Sequence, residues 1–546
     1  MQLYVKLIDL KLREIRPSRV TVEKGLIVSV EPASSDQCEH FVLPGFIDGH
    51  VHVESSLLIP SEFARMAVVH GTVGTISDPH EIANVLGVAG VEFMLDNASR
   101  VPFHFFFGAP SCVPATIFET AGDAIDSAAV EKLLARKDIW YLAEMMNFPG
   151  VLNGDPEVMA KIEAAKKLNK PVDGHAPGLR GPDAMAYAAA GITTDHECFT
   201  LEEALDKIAA GMKIQIREGS AARNFEALHP LLGTHPGKVM LCSDDKHPDN
   251  LLEGHINVQV KRSLALGYNL FDVLRAASWN VKEHYGLAVG MLQVGDAADF
   301  IEIDNTEDFT ILRTWIKGEK VAENGKTLIR RVDEEAINHF HSRELKQSDF
   351  TLKPEEGKLR VIEALEGQLI TNELLVDALV RDENVVSNPA EDILKIVVIN
   401  RYNEAPPAIS FIKNIGLKRG AIASTVAHDS HNIIAVGCSD EEICNAVNLL
   451  MISKGGLCAV HNDVEHLLAL PVAGLMSTDD GWEIARRYIH LDEFVKESLG
   501  STLKAPFMTL SFMALLVIPK LKLSDKGLFD GGAFRFCGNW DKSIKK

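Results

Sequence analysis

The chain has 546 residues, 46% hydrophobic and 24% charged, enough for two or three domains with ordinary apolar cores. A formal net charge of -21, with no Lys or Arg cluster to offset it, argues against nucleic acid and anionic membranes as partners and leaves a small molecule as the easier one. Its 8 cysteines contain no Cys-x-x-Cys pair, which argues against a zinc finger and a disulfide framework and fits a reducing cytoplasm.

The N-terminus, MQLYVKLIDLKLREIRP, mixes charges into its apolar residues, so no signal peptide is expected. LYVKLIDL and SRVTVEKGLIVSVEP alternate apolar and polar positions and predict short strands up to about residue 43. From residue 44 to about 285 the pattern changes. Apolar runs alternate with helical stretches such as EFARMAVVH, EVMAKIEAAKKLN, PDAMAYAAA and LEEALDKIAA. The runs are GFIDGHVHV, GTVGTISD, PFHFFFGAP, IWYLAEMMN, KPVDGHAP, GITTDHECF, KIQIREGSA and KVMLCSDD. This alternation predicts an α/β chain with a (β/α)8 TIM-type barrel over 44–285, the usual size being about 250 residues. No G-x-G-x-x-G follows the first run, which speaks against a dinucleotide-binding open sheet. Residues 286–330 return to Gly-punctuated strands and are expected to join residues 1–43 in a small flanking β domain. Residues 331–546 read as a C-terminal α+β domain. Its strands are DILKIVVINRY and AIASTVAHD, and its helices DEEICNAVNLLMISK and GWEIARRYIHLDEFVKES. The charged stretch VDEEAINHFHSRELKQSDFTLKPEEGK is expected to be a linker or exposed helix, and His461 and His466 to lie on a surface helix. The apolar run FMALLVIP is too short to span a bilayer.

Barrel active sites gather at the C-terminal ends of the strands. The first run ends in His50-Val51-His52, two imidazoles on one face of a strand. The fourth carries Glu144, the fifth Asp173-Gly174-His175, the sixth Asp195-His196-Glu197 and the eighth Ser243-Asp244-Asp245. Imidazoles and carboxylates at one rim suit divalent Zn, Mn or Fe, and one bridging carboxylate would serve two ions that share and acidify a water. Asp78-Pro79-His80-Glu81 follows the second run, and Pro79 is expected to start a loop or helix there. Glu81 also suits a helix N-terminus for purely electrostatic reasons. Near the C-terminus, His428-Asp429-Ser430-His431 forms a further polar cluster, suited to binding a metal, closing over the site or simply making a polar turn. Met145, Met146 and the phenylalanines from Phe103 to Phe107 read as barrel packing.

PGFIDGHVHVESS resembles the first-strand signature of the amidohydrolase superfamily, and VGDAADFIEID its closing β segment. ISDPHEIANVLG, EMMNFPGV, DGHAPGL, DHECFTLEEA, LCSDDKHP and VAHDSHNI together resemble the adenine deaminase family from about residue 42 onward. That resemblance implies deamination of adenine to hypoxanthine and ammonia at a binuclear centre of Mn or Fe, with Zn an option. It implies His50, His52, Glu144, His175, His196 and Asp244 as metal ligands. Glu144 stands where many superfamily members carry a carboxylated lysine, which argues against dihydroorotase-type enzymes. In the mechanism expected, Asp244 takes a proton from the attacking water and passes it to the departing ammonia. Glu81 is a candidate catalytic acid for the purine ring nitrogen, with His80, Glu54 and Asp245 as alternatives. Asp78, His428, Asp429 and His431 are expected around the substrate. A homodimer is expected, because barrels of this kind commonly pair. The alternative reading is another amidohydrolase acting on a different heterocycle or cyclic amide at the same centre.

Overall fold

The computed structural model describes residues 1–341 and 343–543. Its centre is a ring of parallel strands: β1 (Phe46–Val51), β2 (Thr72–Ser77), β3 (His104–Ala109), β4 (Ile139–Met145), β5 (Val172–Gly174), β6 (Thr194–Asp195), β7 (Lys213–Arg217) and β8 (Val239–Cys242). β1 through β5 form one parallel ladder and β6 through β8 another. Two junctions close the ring. The Thr193 amide donates to Val172 O at 2.8 Å, and the Asp244 amide donates to His50 O at 2.9 Å. The predicted (β/α)8 barrel is therefore present. Every residue of β1, β2 and β8 is buried, as parallel strands must be when helices cover one face and packed side chains fill the other.

Local sequence explains the helices between strands. Asp155 caps helix Pro156–Lys167 by accepting from the Glu157 and Val158 amides, with proline in the first turn. Thr200 caps Leu201–Ala209 through the Glu203 amide. Pro79 ends the extended path after β2, and the long helix His80–Ser99 starts directly behind it. Gly174 ends β5 because a Cβ there would lie 2.4 Å from Thr194 O on β6.

The strands before and after the barrel share one eight-stranded sheet. Phe41–Pro44 pairs antiparallel with Phe300–Ile303 and parallel with Gln2–Asp9, so this sheet holds both ends of the barrel segment together. The C-terminal region is built on a nine-stranded sheet around Ile393–Ile399, Ala421–Ser424 and Ile433–Gly437. Helix Asp440–Ser453 covers one face of it through Ile443, Val447 and Leu450, packed on Val397, Ile399 and Ile433.

Two expectations need correction. Of the two readings of the charged stretch after residue 331, linker or exposed helix, the helix falls: among the described residues it contains no α-helix, only one 3-10 turn at Gln347–Phe350. Leu345 and Phe350 are buried in the core beneath helix Asp440–Ser453, so the stretch is pinned along the C-terminal region as a strap. His461 and His466 lie on the paired strands Gly456–His461 and Val464–Ala469, not on a helix. Asn462 takes a positive φ of 51° in the tight turn between them, a turn conformation that asparagine tolerates.

Candidate metal centre

The pleat of β1 turns His50 and His52 to the same side, and their Nε2 atoms stand 3.2 Å apart. β4 brings Glu144 beneath them. Its Oε1 lies 3.3 Å from His52 Nε2, while its Oε2 lies 2.7 Å from His175 Nδ1 and 3.1 Å from His196 Nε2. One carboxylate thus faces two groups of imidazoles with different oxygens. Asp244 follows β8 with φ of 55°, and its Oδ1 lies 3.3 Å from His52 Nε2 and 3.7 Å from His50 Nε2. All six side chains are buried.

Burial and the neighbouring His196 and His52 hold His50 well below the ordinary histidine range. Burial also opposes charge on Glu144 and Asp244. The imidazoles of His175 and His196 outweigh it for Glu144, and Arg217 with His52 and His196 outweighs it for Asp244, so both carboxylates sit well below their usual range. The donor set fits a divalent cation. Two basic nitrogens point at each other across 3.2 Å, a spacing that suits two ligands each about 2.1 Å from one ion. The ligating atoms of His50, His196 and Asp244 lie within 4.8 Å of one another, as do those of Glu144, His175 and His196. A divalent-metal site is the natural use of such a cluster.

A second group of side chains lies against the first. Asp78 accepts from the Glu144 amide at 3.3 Å and lies 3.3 Å from His80 Nδ1. His80 Nδ1 is 3.5 Å from Glu144 Oε1, and its Nε2 is 3.5 Å from Glu81 Oε1 and 3.8 Å from Asp429 Oδ1. Glu81 is held from the C-terminal region: His428 Nδ1 lies 2.5 Å from its Oε1, and His431 Nε2 contacts its Oε2. His428 is itself stacked on Phe512 at 4.6 Å. Burial pushes Glu54 up to about 7; its Oε1 accepts from the Ile82 amide at 3.2 Å. Asp245 is raised by burial and by Asp244, and accepts from the Ser55 hydroxyl at 2.5 Å. The chain thus brings residues of three separate stretches, 50–81, 144–245 and 428–431, into one buried cluster.

One participant, Arg217, escaped the sequence reading, and another, Glu197, was named only as part of a polar strand end. Arg217 ends β7, a strand whose end had been given no chemistry, and donates to Asp244 Oδ2 at 2.5 Å and to Glu197 Oε2 at 2.9 Å. Glu197, next to His196, lies 3.7 Å from His175 Nδ1 and 3.6 Å from His196 Nε2. An arginine at the active-site end of a barrel strand was the available signal. The phenylalanines of β3 pack among themselves, Phe103 and Phe105 at 4.7 Å and Phe105 and Phe107 at 5.6 Å.

Comparison with known proteins agrees with this architecture. Residues 41–321 match the amidohydrolase family and residues 368–535 match the adenine deaminase C-terminal domain. An adenine deaminase of Sulfurovum sp. is 56% identical over 98% of this chain and 99% of its own. One from Salinibacter ruber is 54% identical over 97% of each chain. One from Methanosarcina acetivorans is 53% identical over 97% of this chain and 98% of its own. Similarity of this extent, spanning barrel, flanking sheet and C-terminal region alike, makes the chain a member of the adenine deaminase family within the amidohydrolases.

Proposed function

We propose that the protein hydrolyses adenine to hypoxanthine and ammonia, using a binuclear centre of Mn or Fe, with Zn an option. The observation that carries this reading is the convergence of His428, Asp429 and His431, from the region that matches the adenine deaminase C-terminal domain, onto the same buried cluster as the barrel histidines.

His50, His52, Glu144, His175, His196 and Asp244 would hold the ions. Two divalent cations in such a site supply acidification of a water molecule near neutral pH. The side chains then divide the remaining work. Arg217 occupies Asp244 Oδ2, which leaves Oδ1 facing the cluster to accept the proton of the attacking water and return it to the leaving ammonia. Glu81 is the group assigned to the proton for purine N1. Burial opposes charge on Glu81, but His428, His431 and His80 outweigh it and hold the carboxyl well below its usual range, so the proton relayed through it to N1 would come from an imidazole beside it. Burial of the whole cluster excludes bulk water. The absence of a disulfide framework suits a reducing cytoplasm, where the 8 cysteines would stay free; a homodimer is the expected assembly.

The test is direct. Protein loaded with manganese or iron is incubated with adenine, adenosine, guanine, cytosine and dihydroorotate, and products are followed by ammonia release and absorbance. Conversion of adenine to hypoxanthine is the expected result; turnover of another substrate in its place rejects the reading. Asp244→Asn should keep much of its metal yet lose roughly 10²–10⁴-fold in kcat. A variant with near-parental kcat removes Asp244 from proton transfer.

A further inference from the structure

The ring of strands is assembled from two ladders, β1 to β5 and β6 to β8, so it has two seams, β8 against β1 and β5 against β6. Among the described residues neither seam carries a ladder, and the first has one isolated bridge, Val51 with Asp244. Two ligand groups straddle the ladders. His50 on β1 meets His196 and Asp244, which follow β6 and β8; Glu144 on β4 and His175 after β5 meet His196 again. Ligand atoms belong about 2.0–2.2 Å from a divalent ion, so the width of each seam decides whether a group can close on one.

Each seam is crossed by a buried polar clamp that has no task in the scheme above. At the first, Asp48 on β1 accepts from the Ser243 amide at 3.0 Å and the His50 amide at 3.2 Å through Oδ1. Its Oδ2 accepts from the Ser243 hydroxyl and lies 2.8 Å from His255 Nε2. The Thr72 hydroxyl stands 2.7 Å from His255 Nδ1; donating there, it leaves the Nε2 proton for Asp48. His255 thus holds the carboxylate that joins His50 to Ser243, the residue before Asp244. Asp244 itself has a left-handed backbone, which persists when its surroundings fix it. Asp48, Thr72, Ser243 and His255 are all buried.

At the second seam Lys207 reaches across from helix Leu201–Ala209. Its Nζ donates to Ala176 O, beyond β5, at 2.7 Å and to Glu203 Oε1 at 2.8 Å, and lies 3.1 Å from Asp195 Oδ2 on β6. Asp195 Oδ2 in turn accepts from the Ala176 amide at 3.0 Å. Ala176 follows His175 and Asp195 precedes His196, so the clamp sits one residue from a ligand on either side. Lys207 and Asp195 are both 0% exposed. A buried ion pair is a weak source of net stability, because desolvation offsets the attraction. Its clearer effect is geometric: it fixes the backbone beside both ligands.

We propose that His255 and Lys207 are positioning residues, one per seam, that fix the spacing between the two ladders and so preform the two ligand groups. His255 serves the group of His50, His196 and Asp244, and Lys207 that of Glu144, His175 and His196. Neither is itself a ligand. The inference rests on the two-ion reading of the centre and is independent of which heterocycle is the substrate.

The experiment titrates manganese into chelator-stripped wild type, His255→Met, Lys207→Met and the double variant. Free manganese is followed by electron paramagnetic resonance, bound metal by elemental analysis and apoprotein Tm by circular dichroism. Wild type should bind two ions. Each single variant should bind one ion with wild-type affinity and the other about 10- to 100-fold more weakly, the usual effect of removing a group that orients a ligand. The double variant should bind both weakly, because the two losses fall on different ions. His255→Gln, which keeps an N–H for Asp48, should recover most of the lost affinity. At limiting manganese kcat should fall with occupancy while KM for adenine stays within about 3-fold of wild type. Parental affinity for both ions in either single variant, with only Tm lowered, overturns the assignment, as does a double variant that retains one tight ion. Wild type that binds fewer than two ions overturns the two-ion reading and this inference with it. Failure of loaded wild type to turn over adenine rejects the deaminase reading and leaves the metal titration as the test. If His255→Met fails to fold, Thr72→Val takes its place, and Glu203→Gln does so for Lys207→Met; each should weaken one ion, and unaltered affinity refutes the role.

Discussion

Arg217 is the side chain whose removal should be most informative. It is 3% exposed and holds two carboxylates, Glu197 through both guanidinium nitrogens and Asp244 through one. Arg217→Leu leaves those two buried charges without their cation. Breaking a buried, hydrogen-bonded ion pair typically costs about 3–5 kcal/mol, because the remaining charge stays desolvated. The metal-free variant should therefore unfold with a stability lower by that amount. Bound metal offers Asp244 another positive partner but does little for Glu197, so the deficit should shrink when manganese is restored. Urea unfolding of chelated and manganese-loaded protein, followed by circular dichroism, measures both quantities. Removing Glu197 as well, in Arg217→Leu/Glu197→Leu, should recover part of the loss by deleting one orphaned charge. A metal-free Arg217→Leu protein within about 1 kcal/mol of the parent refutes the reasoning, as does a double variant whose losses simply add.

Other outcomes follow from the same structure. The Glu119 carboxyl is raised by burial from an ordinary value of 4.5 to about 8, so its contribution to stability is full below pH 4.5 and is lost as pH rises through about 8. Glu119→Gln removes that titration, and its stability relative to wild type should improve between pH 4.5 and 8.5, by up to about 5 kcal/mol; a pH-independent difference contradicts it. Gly174→Ala pushes a methyl group against Thr194 O and should cost about 1–3 kcal/mol. Because His175 follows directly, metal content should fall with it; thermal melting and elemental analysis check the two effects, and parental values for both would show that β5 and β6 can move apart freely.

The barrel was readable because parallel strands buried on both faces write themselves as apolar runs, and helices between them as periodic, capped segments. The residues of the buried cluster were readable for a related reason. A barrel strand points its C-terminal end at the site, so the order His50, His52, Glu144, His175, His196, Asp244 along the chain is also an order around a ring. The strap after residue 331 was less legible. Its charges resemble those of an exposed helix, yet Leu345 and Phe350 bind it to the C-terminal core, and no local pattern announces a contact of that range.

Residue types and spacing pointed to the fold class and to a divalent-metal cluster, and the resemblance of longer motifs pointed to the family. Only the tertiary structure decided which charges neutralise one another. Arg217 is one polar residue among many along the chain, and becomes the partner of Glu197 and Asp244 only when β6, β7 and β8 lie side by side. His428 and His431 are separated from Glu81 by 347 and 350 residues and meet it by the docking of one region on another. Electrostatic energy depends on distance in space and on exclusion of water, and neither quantity is written in the order of residues along a chain.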